Sequence, residues 1–402
     1  MSGHRKLPIS KPLPFYPMMV AGIMSGTSAD GIDVALVRIR PHRDRLKLDI
    51  VAHSAFPLAP ALRKAVLSAM DAKSIATAEL ARLNWRLGQA YAEAVRETVV
   101  RHPVRLQLIG CHGQTIYHQA APSIYAGRKV ACTWQIGEPA LLAAELGVPV
   151  VSNFRPADMV AGGQGAPLVP LLDYIQFSDE KRARVLQNIG GIGNLTLIPP
   201  ASKADQLLAF DTGPGNMVID ALMQELFHTP YDRSGKTASR GRVLDKVLTV
   251  TLQHQFFNAK PPKSAGREQF GAAFVGKFLR ACRKEGGTNE DVIATATALT
   301  AESVARAFEQ FVQPRLKRGI PVDYIVSGGG AKNKTLVAML QTRLQPLGCK
   351  LMQSTQTGIP VEAKEAVAFA LLAYYTWHRR PANVPSATGA NRPAILGQIT
   401  YV

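Results

Sequence analysis

An apolar run begins just after Met18. Val20-Ala21-Gly22-Ile23-Met24 and Ile32 to Ile39 read as two strands, joined by the polar turn Ser25-Gly26-Thr27-Ser28-Ala29-Asp30-Gly31. Leu46, Leu48 and Ile50 alternate with Lys47 and Asp49, which predicts a third strand. A helical region from Pro60 to Val100 follows. A strand from Leu106 to Gly110 then runs into Cys111-His112-Gly113-Gln114-Thr115.

The second half repeats this scheme. Val185 to Asn188 and Leu195 to Ile198 read as strands around Ile189-Gly190-Gly191-Ile192-Gly193-Asn194. Leu207 to Phe210 reads as a third strand, ending in Asp211-Thr212-Gly213-Pro214-Gly215. Ile219, Leu222, Met223, Leu226 and Phe227 fall on one helical face, as do Val304, Phe308, Phe311 and Val312 further on. The strand Tyr324-Ile325-Val326 enters Ser327-Gly328-Gly329-Gly330. Identity between the halves is weak, so the echo is one of topology. It suggests two similarly built α/β domains. The Gly- and Pro-rich segment Val151 to Pro170 reads as their junction, and Tyr231 to Arg242 as a mobile loop.

Composition narrows the class. The chain has 402 residues, 47% hydrophobic and 19% charged, enough for two folded domains. Cys111, Cys132, Cys282 and Cys349 show no CxxC spacing, which suits a reducing cytoplasm better than a disulfide framework or zinc ribbon. No apolar run reaches the ~20 residues of a membrane span. Residues 1–18 are basic and proline-rich without an apolar stretch, and are expected to form a disordered extension. The net charge is +18, but the basic residues are dispersed and lack aromatic interleaving. That favours a basic surface suited to small polyanions over a nucleic-acid partner.

Three glycine turns, each after an apolar strand, point to backbone amides cradling phosphate. Any single turn is explained as well by hairpin geometry. Known nucleotide motifs fail. A Walker loop ending in Gly235-Lys236-Thr237 needs glycine where Pro230 stands, and Gly191-Ile192-Gly193 continues as Asn194-Leu195-Thr196. No GxSxG elbow occurs. Asp30, Asp33 and Asp211 sit in or beside these turns, where a carboxylate can hold Mg²⁺ or act as a general base. The plainer readings are a turn residue for Asp30 and a helix N-cap for Asp211. His112 reads as a structural donor as readily as a base, and a zinc site from Cys111, His112 and His118 has poor spacing.

Taken together, several segments resemble the anhydro-N-acetylmuramic acid kinase family of the actin-like and hexokinase-like ATPase superfamily. They are Gly22 to Asp33, His112-Gly113-Gln114-Thr115, Gln135 to Leu142, Asn153 to Asp158, Ala161 to Pro170, Asn188 to Gly191, Phe210 to Asn216, Ser327 to Gly330 and Glu365 to Phe369. They run in one collinear order over nearly the whole chain. The resemblance implies an α/β chain of two ribonuclease-H-like domains with an interdomain cleft holding ATP. The N-terminal lobe would span 19–154 with 370–402 packed on it, and 155–369 would form the C-terminal lobe with nucleotide and sugar contacts.

By the same resemblance, Gly26, Thr27, Ser28, Ala29, Asp30, Gly31, Ile32, Asp33, Gly190 and Gly191 would hold the phosphates. Gly328, Gly329 and Gly330 would approach the adenosine, and Asp211 would be the general base. His112, Gln114, Arg155, Asp158 and Glu365 would face the sugar. Mg²⁺ would reach Asp30 and Asp33 with the ATP. The implied partners are a small sugar and ATP, with no nucleic acid and no membrane; a homodimer is allowed, as family members are often dimers. Two rivals share the fold: a kinase for another sugar, and an actin-like or chaperone-like switch ATPase. The short stretch after Tyr375 speaks against the switch, since it leaves no room for an appended peptide-binding domain.

Overall fold

The computed structural model describes residues 12–26, 29–42, 45–261, 263–353 and 359–402. Thr27, Ser28 and residues 1–11 of the expected extension lie outside this set. The chain divides into two compact units, residues 1–175 with 362–402, and residues 176–361.

The first unit is built on the strands β1 (Met18–Ser25), β2 (Gly31–His42), β3 (Arg45–Pro57), β4 (Leu108–Tyr125), β5 (Arg128–Ile136) and β6 (Val150–Ser152). β1, β2 and β3 form an antiparallel meander, β4 runs parallel to β1, and β6 parallel to β4. The expected long helical region is two helices, Pro60–Met70 and Thr77–Arg101. Their buried Leu62, Val66, Leu83, Leu87, Tyr91 and Val95 pack under the sheet with Ile23, Val34 and Ile109. Each such side chain contributes about 1.5–3 kcal/mol of burial.

The second unit repeats the scheme with β7 (Ala183–Ile189), β8 (Ile192–Ile198), β9 (Leu208–Pro214), β10 (Val322–Ser327) and β11 (Cys349–Gln353). β7, β8 and β9 are antiparallel, while β10 runs parallel to β7 and β11 to β10. Along the sheets the order is β3-β2-β1-β4-β6 in one unit and β9-β8-β7-β10-β11 in the other. This is the ribonuclease-H-like strand order, met twice. In the second unit the helix Asn289–Ala307 is buried from Val292 to Ala301. A reciprocal cap starts it: Asp291 N–H donates to Thr288 Oγ1 at 3.2 Å, and Thr288 N–H to Asp291 Oδ2 at 3.1 Å.

Four expectations need correction. The first unit extends to residue 175 and resumes at 362, so Arg155, Asp158 and Glu365 belong to it and not to the C-terminal lobe. The reason is packing: the helix Lys364–Trp377 lies against β1 and β4, and a last strand, β12 (Gln398–Thr400), pairs with β6. Segment 151–170 is therefore no junction; it supplies β6 and the helix Arg155–Val160.

Described residues just before β1 are not a loose tail. Leu13 N–H donates to His378 O at 3.0 Å, and Phe15 stacks on Tyr374 with ring centroids 5.3 Å apart. Apolar and aromatic side chains in that stretch find a helix face to cover. Segment 231–242 is pinned as well. The buried Asp232 accepts the amides of Thr237 and Ala238 at 2.9 Å, and Thr335 Oγ1 donates to Gly235 O at 2.7 Å.

Candidate active site

In the first unit, the turn after β1 is held from below. Gln114, fully buried, accepts a hydrogen bond from Ser25 Oγ at 2.7 Å and donates to Gly26 O at 3.1 Å. Its amide is thereby committed to the turn, which corrects its assignment as a sugar contact. Ala29 N–H closes the turn on Gly26 O at 3.1 Å, with Ala29 at a φ of 52°. Ile32, buried in β2, packs into the core and presents no side chain to a ligand. Asp30 is exposed and pairs with Arg63 at 3.1 Å, while Asp33 bonds His53 at 2.9 Å.

Arg155 and His112 form a second cluster. His112 Nδ1 sits 2.7 Å from Gly113 O, and Arg155 Nε donates to His112 Nε2 at 3.0 Å. A ring that donates at Nδ1 and accepts at Nε2 is neutral. Burial, and after it the Arg155 charge, push its pKa down to about 3. It is a fixed spacer, not a base. Arg155 also donates to Gly165 O at 2.8 Å and lies close enough to Glu365 for the two charges to interact. Burial raises the Glu365 pKa; Arg155 opposes the rise and Asp33 adds to it. The structure thus gathers Asp33, His112, Arg155 and Glu365.

Asp158 has a different task. It is fully buried, with Oδ1 accepting from Asn383 at 2.8 Å and Thr388 at 2.7 Å, and Oδ2 from Gly165 N–H at 2.8 Å. Every lone pair that matters is used to tie loop 161–165 to the C-terminal segment. Asp158 is an architectural carboxylate, which corrects its assignment as a sugar contact.

In the second unit the glycine turns come together at one end of the sheet. Gly215 and Met217 donate to Gly191 O at 2.9 and 3.1 Å, and Asn216 donates to Gly190 O at 2.7 Å. Thr300, on the buried helix, holds Gly215 O at 2.8 Å. A Cβ on Gly328 would come within 2.7 Å of Ile189 O, and one on Gly330 within 2.7 Å of Ile189 Cβ. These two glycines are required by packing alone. At Gly190 and Gly191 a Cβ would meet nothing nearer than 3.7 Å, and neither has a positive φ. The protein itself does not demand glycine there, nor does it at Gly329, where the nearest atom is the flexible Asn216 amide at 3.3 Å.

Asp211 lies within β9, opposite Asn194, and does not cap the following helix, which starts at Met217 with Asn216 at its N-cap and no side-chain cap. Its Oδ2 accepts the Ala265 amide at 2.8 Å; Oδ1 has no hydrogen bond among the described residues. Burial raises its pKa to about 6, against the opposing pull of the Ala265 amide and the Lys263 charge. A half-buried carboxylate with one free oxygen is suited to taking a proton near neutral pH.

The family model for anhydro-N-acetylmuramic acid kinase matches residues 18–402. The chain belongs to the anhydro-N-acetylmuramic acid kinase family. A relative of that name from Bacillus cereus (strain G9842) is 45% identical over 387 residues, covering 96% of this chain and 99% of its own. Another, from Bacillus thuringiensis (strain Al Hakam), is 44% identical over 389 residues with the same coverage.

Within this family member, two polar residues stand near the turns without having been singled out from the sequence. Asp220, on the first turn of the helix Met217–Phe227, has its pKa raised to about 6 by burial. Its i+9 spacing from Asp211 across a glycine turn was the available signal. Lys263 lies in an aperiodic stretch, and nothing in its neighbours marked it.

Proposed function

We propose that this chain uses ATP to convert 1,6-anhydro-N-acetylmuramic acid into N-acetylmuramic acid 6-phosphate, in recycling of cell-wall amino sugars in the cytoplasm. The observation that carries this reading is the family match over residues 18–402. Asp211 is the proposed base. It takes a proton from water, hydroxide adds at the anomeric carbon, and the C1–O6 bond breaks. O6 carries its electron pair to the γ-phosphorus and ADP leaves. One base suffices, because the departing sugar oxygen is itself the phosphoryl acceptor.

In the second unit Gly190 and Gly191 are proposed to bind phosphate and segment 328–330 to approach the adenosine; in the first unit the turn at 26–33 is separately proposed as a phosphate-binding turn. In support, Gly190 and Gly191 leave space that packing does not need. Arg155 and Glu365 remain the sugar-facing proposals. Among the described residues no group of three His, Cys, Asp or Glu could hold a metal ion. Asp30 and Asp33 already face Arg63 and His53. Their fit to Mg²⁺ is through water on a metal delivered with ATP, where the ion would neutralise phosphate charge. No helix among the described residues is long and apolar enough to cross a membrane.

Purified protein incubated with Mg-ATP and 1,6-anhydro-N-acetylmuramic acid should give the ring-opened 6-phosphate by mass spectrometry. A phosphorylated product with its bridge intact would point to an ordinary sugar kinase and reject the proposal.

A further inference from the structure

We infer that Lys263 is a positioning residue for Asp211, acting both through the backbone it anchors and through the charge it holds nearby. The inference rests on the reading of Asp211 as the base. Lys263 Nζ donates to the carbonyl oxygens of Phe256 and Phe257 at 3.1 and 3.2 Å, on the short helix Gln255–Asn258. The ammonium also stands over the rings of Phe256 (4.7 Å), Phe311 (4.8 Å) and Phe210 (5.7 Å). An ammonium drawn out of water is held there by carbonyl dipoles and ring faces, which replace part of its hydration.

What this anchor fixes is the backbone beside β9. Asp211 N–H donates to Lys263 O at 3.1 Å, and Ala265 N–H donates to Asp211 Oδ2 at 2.8 Å. Segment 263–265 therefore grips Asp211 at both its main chain and its carboxylate. Releasing the lysine tail frees this segment and removes a nearby positive charge, and both changes disfavour the ionised carboxylate.

Other charges around β9 are engaged elsewhere. On the helix Asn289–Ala307, which packs against β9, Glu302 pairs with Arg343 at 2.7 Å and Arg306 donates to Leu252 O at 3.5 Å. The neighbouring strand β8 carries no charged residue, nor does the helix Gln255–Asn258. At the start of that helix, His254 Nδ1 accepts the Phe256 amide. Burial lowers the Lys263 pKa to about 8, so it stays charged over the acid limb where Asp211 titrates.

The test is kcat/KM against pH for the full chain, its Lys263→Met and Lys263→Arg variants, and Asp211→Asn. Lys263→Met should move the acid limb upward by on the order of one pH unit, a loss near tenfold on that limb that shrinks as the pH rises. Lys263→Arg, keeping the charge and its donors, should leave the limb close to wild type. A folded Lys263→Met variant with an unmoved limb overturns the inference, even if its Tm falls, since a purely structural staple predicts that pattern. If the methionine variant does not fold, Lys263→Gln decides the matter in the same way. Its amide can still donate while the charge is gone, so its limb should also rise, and an unmoved limb rejects the proposal. An active Asp211→Asn variant would instead remove the base reading underneath. An inactive one alongside an unmoved Lys263 limb rejects the lysine's role alone.

Discussion

The two units share a strand order but not the way a helix meets the sheet. In the first, Gly22 and Gly110 are register partners on β1 and β4, and the helix Lys364–Trp377 lies on them backbone to backbone. In the second, β10 presents Tyr324, whose ring meets Phe308 at 5.9 Å, so a full side-chain layer intervenes. Their carboxylates diverge in parallel. Asp158, in the first unit, is saturated by three donors, while Asp211, in the second, has one and an open oxygen. A buried acid with every partner supplied is holding structure together. One left short at a glycine turn is available for chemistry.

Four changes would break or sharpen this contrast. The largest effect is expected from Gly22→Ala. Its new Cβ would lie 2.9 Å from the Ala366 carbonyl carbon, 2.7 Å from the Ala370 nitrogen, and closer still to the Ala366 oxygen. Neither backbone can yield, so a loss of roughly 4 kcal/mol or more is expected. A wild-type urea midpoint would show that the helix does not lie flush. Next comes Asp158→Ala, which strands the buried donors of Asn383, Thr388 and Gly165. About 3 kcal/mol should be lost, read from chemical denaturation, and an unchanged midpoint would deny the acid its architectural role.

Asp211→Asn should have the opposite sign. The folded carboxyl titrates near 6, above its ordinary 3.8. Its favourable contribution is complete below the ordinary value and is lost as pH rises through 6, so at neutral pH the ionised form carries an unrelieved desolvation cost. Asparagine removes that cost while still accepting the Ala265 amide. A gain of about 1–2 kcal/mol is expected, seen as a higher Tm at neutral pH that disappears in acid. A lower Tm at neutral pH would place Asp211 beside Asp158 as a structural group. Smallest is Thr288→Ala, which opens the cap of the buried helix at about 1 kcal/mol. Since Thr300 on that helix holds Gly215, differential scanning calorimetry should show a modest shift with the fold retained.

Much of this was legible because it is local. The period two of β3, the apolar runs of β1 and β10 and the glycines that follow apolar strands are written within a few residues, and the glycine pattern recurs after β7 and β10. What escaped depends on contacts between distant segments. The resemblance placed 370–402 on the first unit, but the return begins earlier, at 362, and that start is signalled only by small residues, Ala366, Ala370 and Ala373, matching glycines more than 250 positions earlier. The β4–β5 hairpin mixes exposed Tyr117, Ile124 and Trp134 with polar neighbours, so its period is blurred. His112, Gln114 and Asp158 stand out in the sequence only as polar residues within motifs. Their partners, not their types, decide that Gln114 and Asp158 support the site and that His112 spaces Arg155. Lys263 is invisible in sequence because its aromatic surroundings come from β9 and from the ends of two separate helices.

The most direct measurement is the turnover of Asp211→Asn with 1,6-anhydro-N-acetylmuramic acid and Mg-ATP, alongside its ATP affinity by calorimetry. Removing the base while the amide cradle stays intact should lower kcat by about 10²–10⁴ and leave nucleotide binding near wild type. A variant that turns over at the wild-type rate contradicts the account, because water would then be activated by some other group.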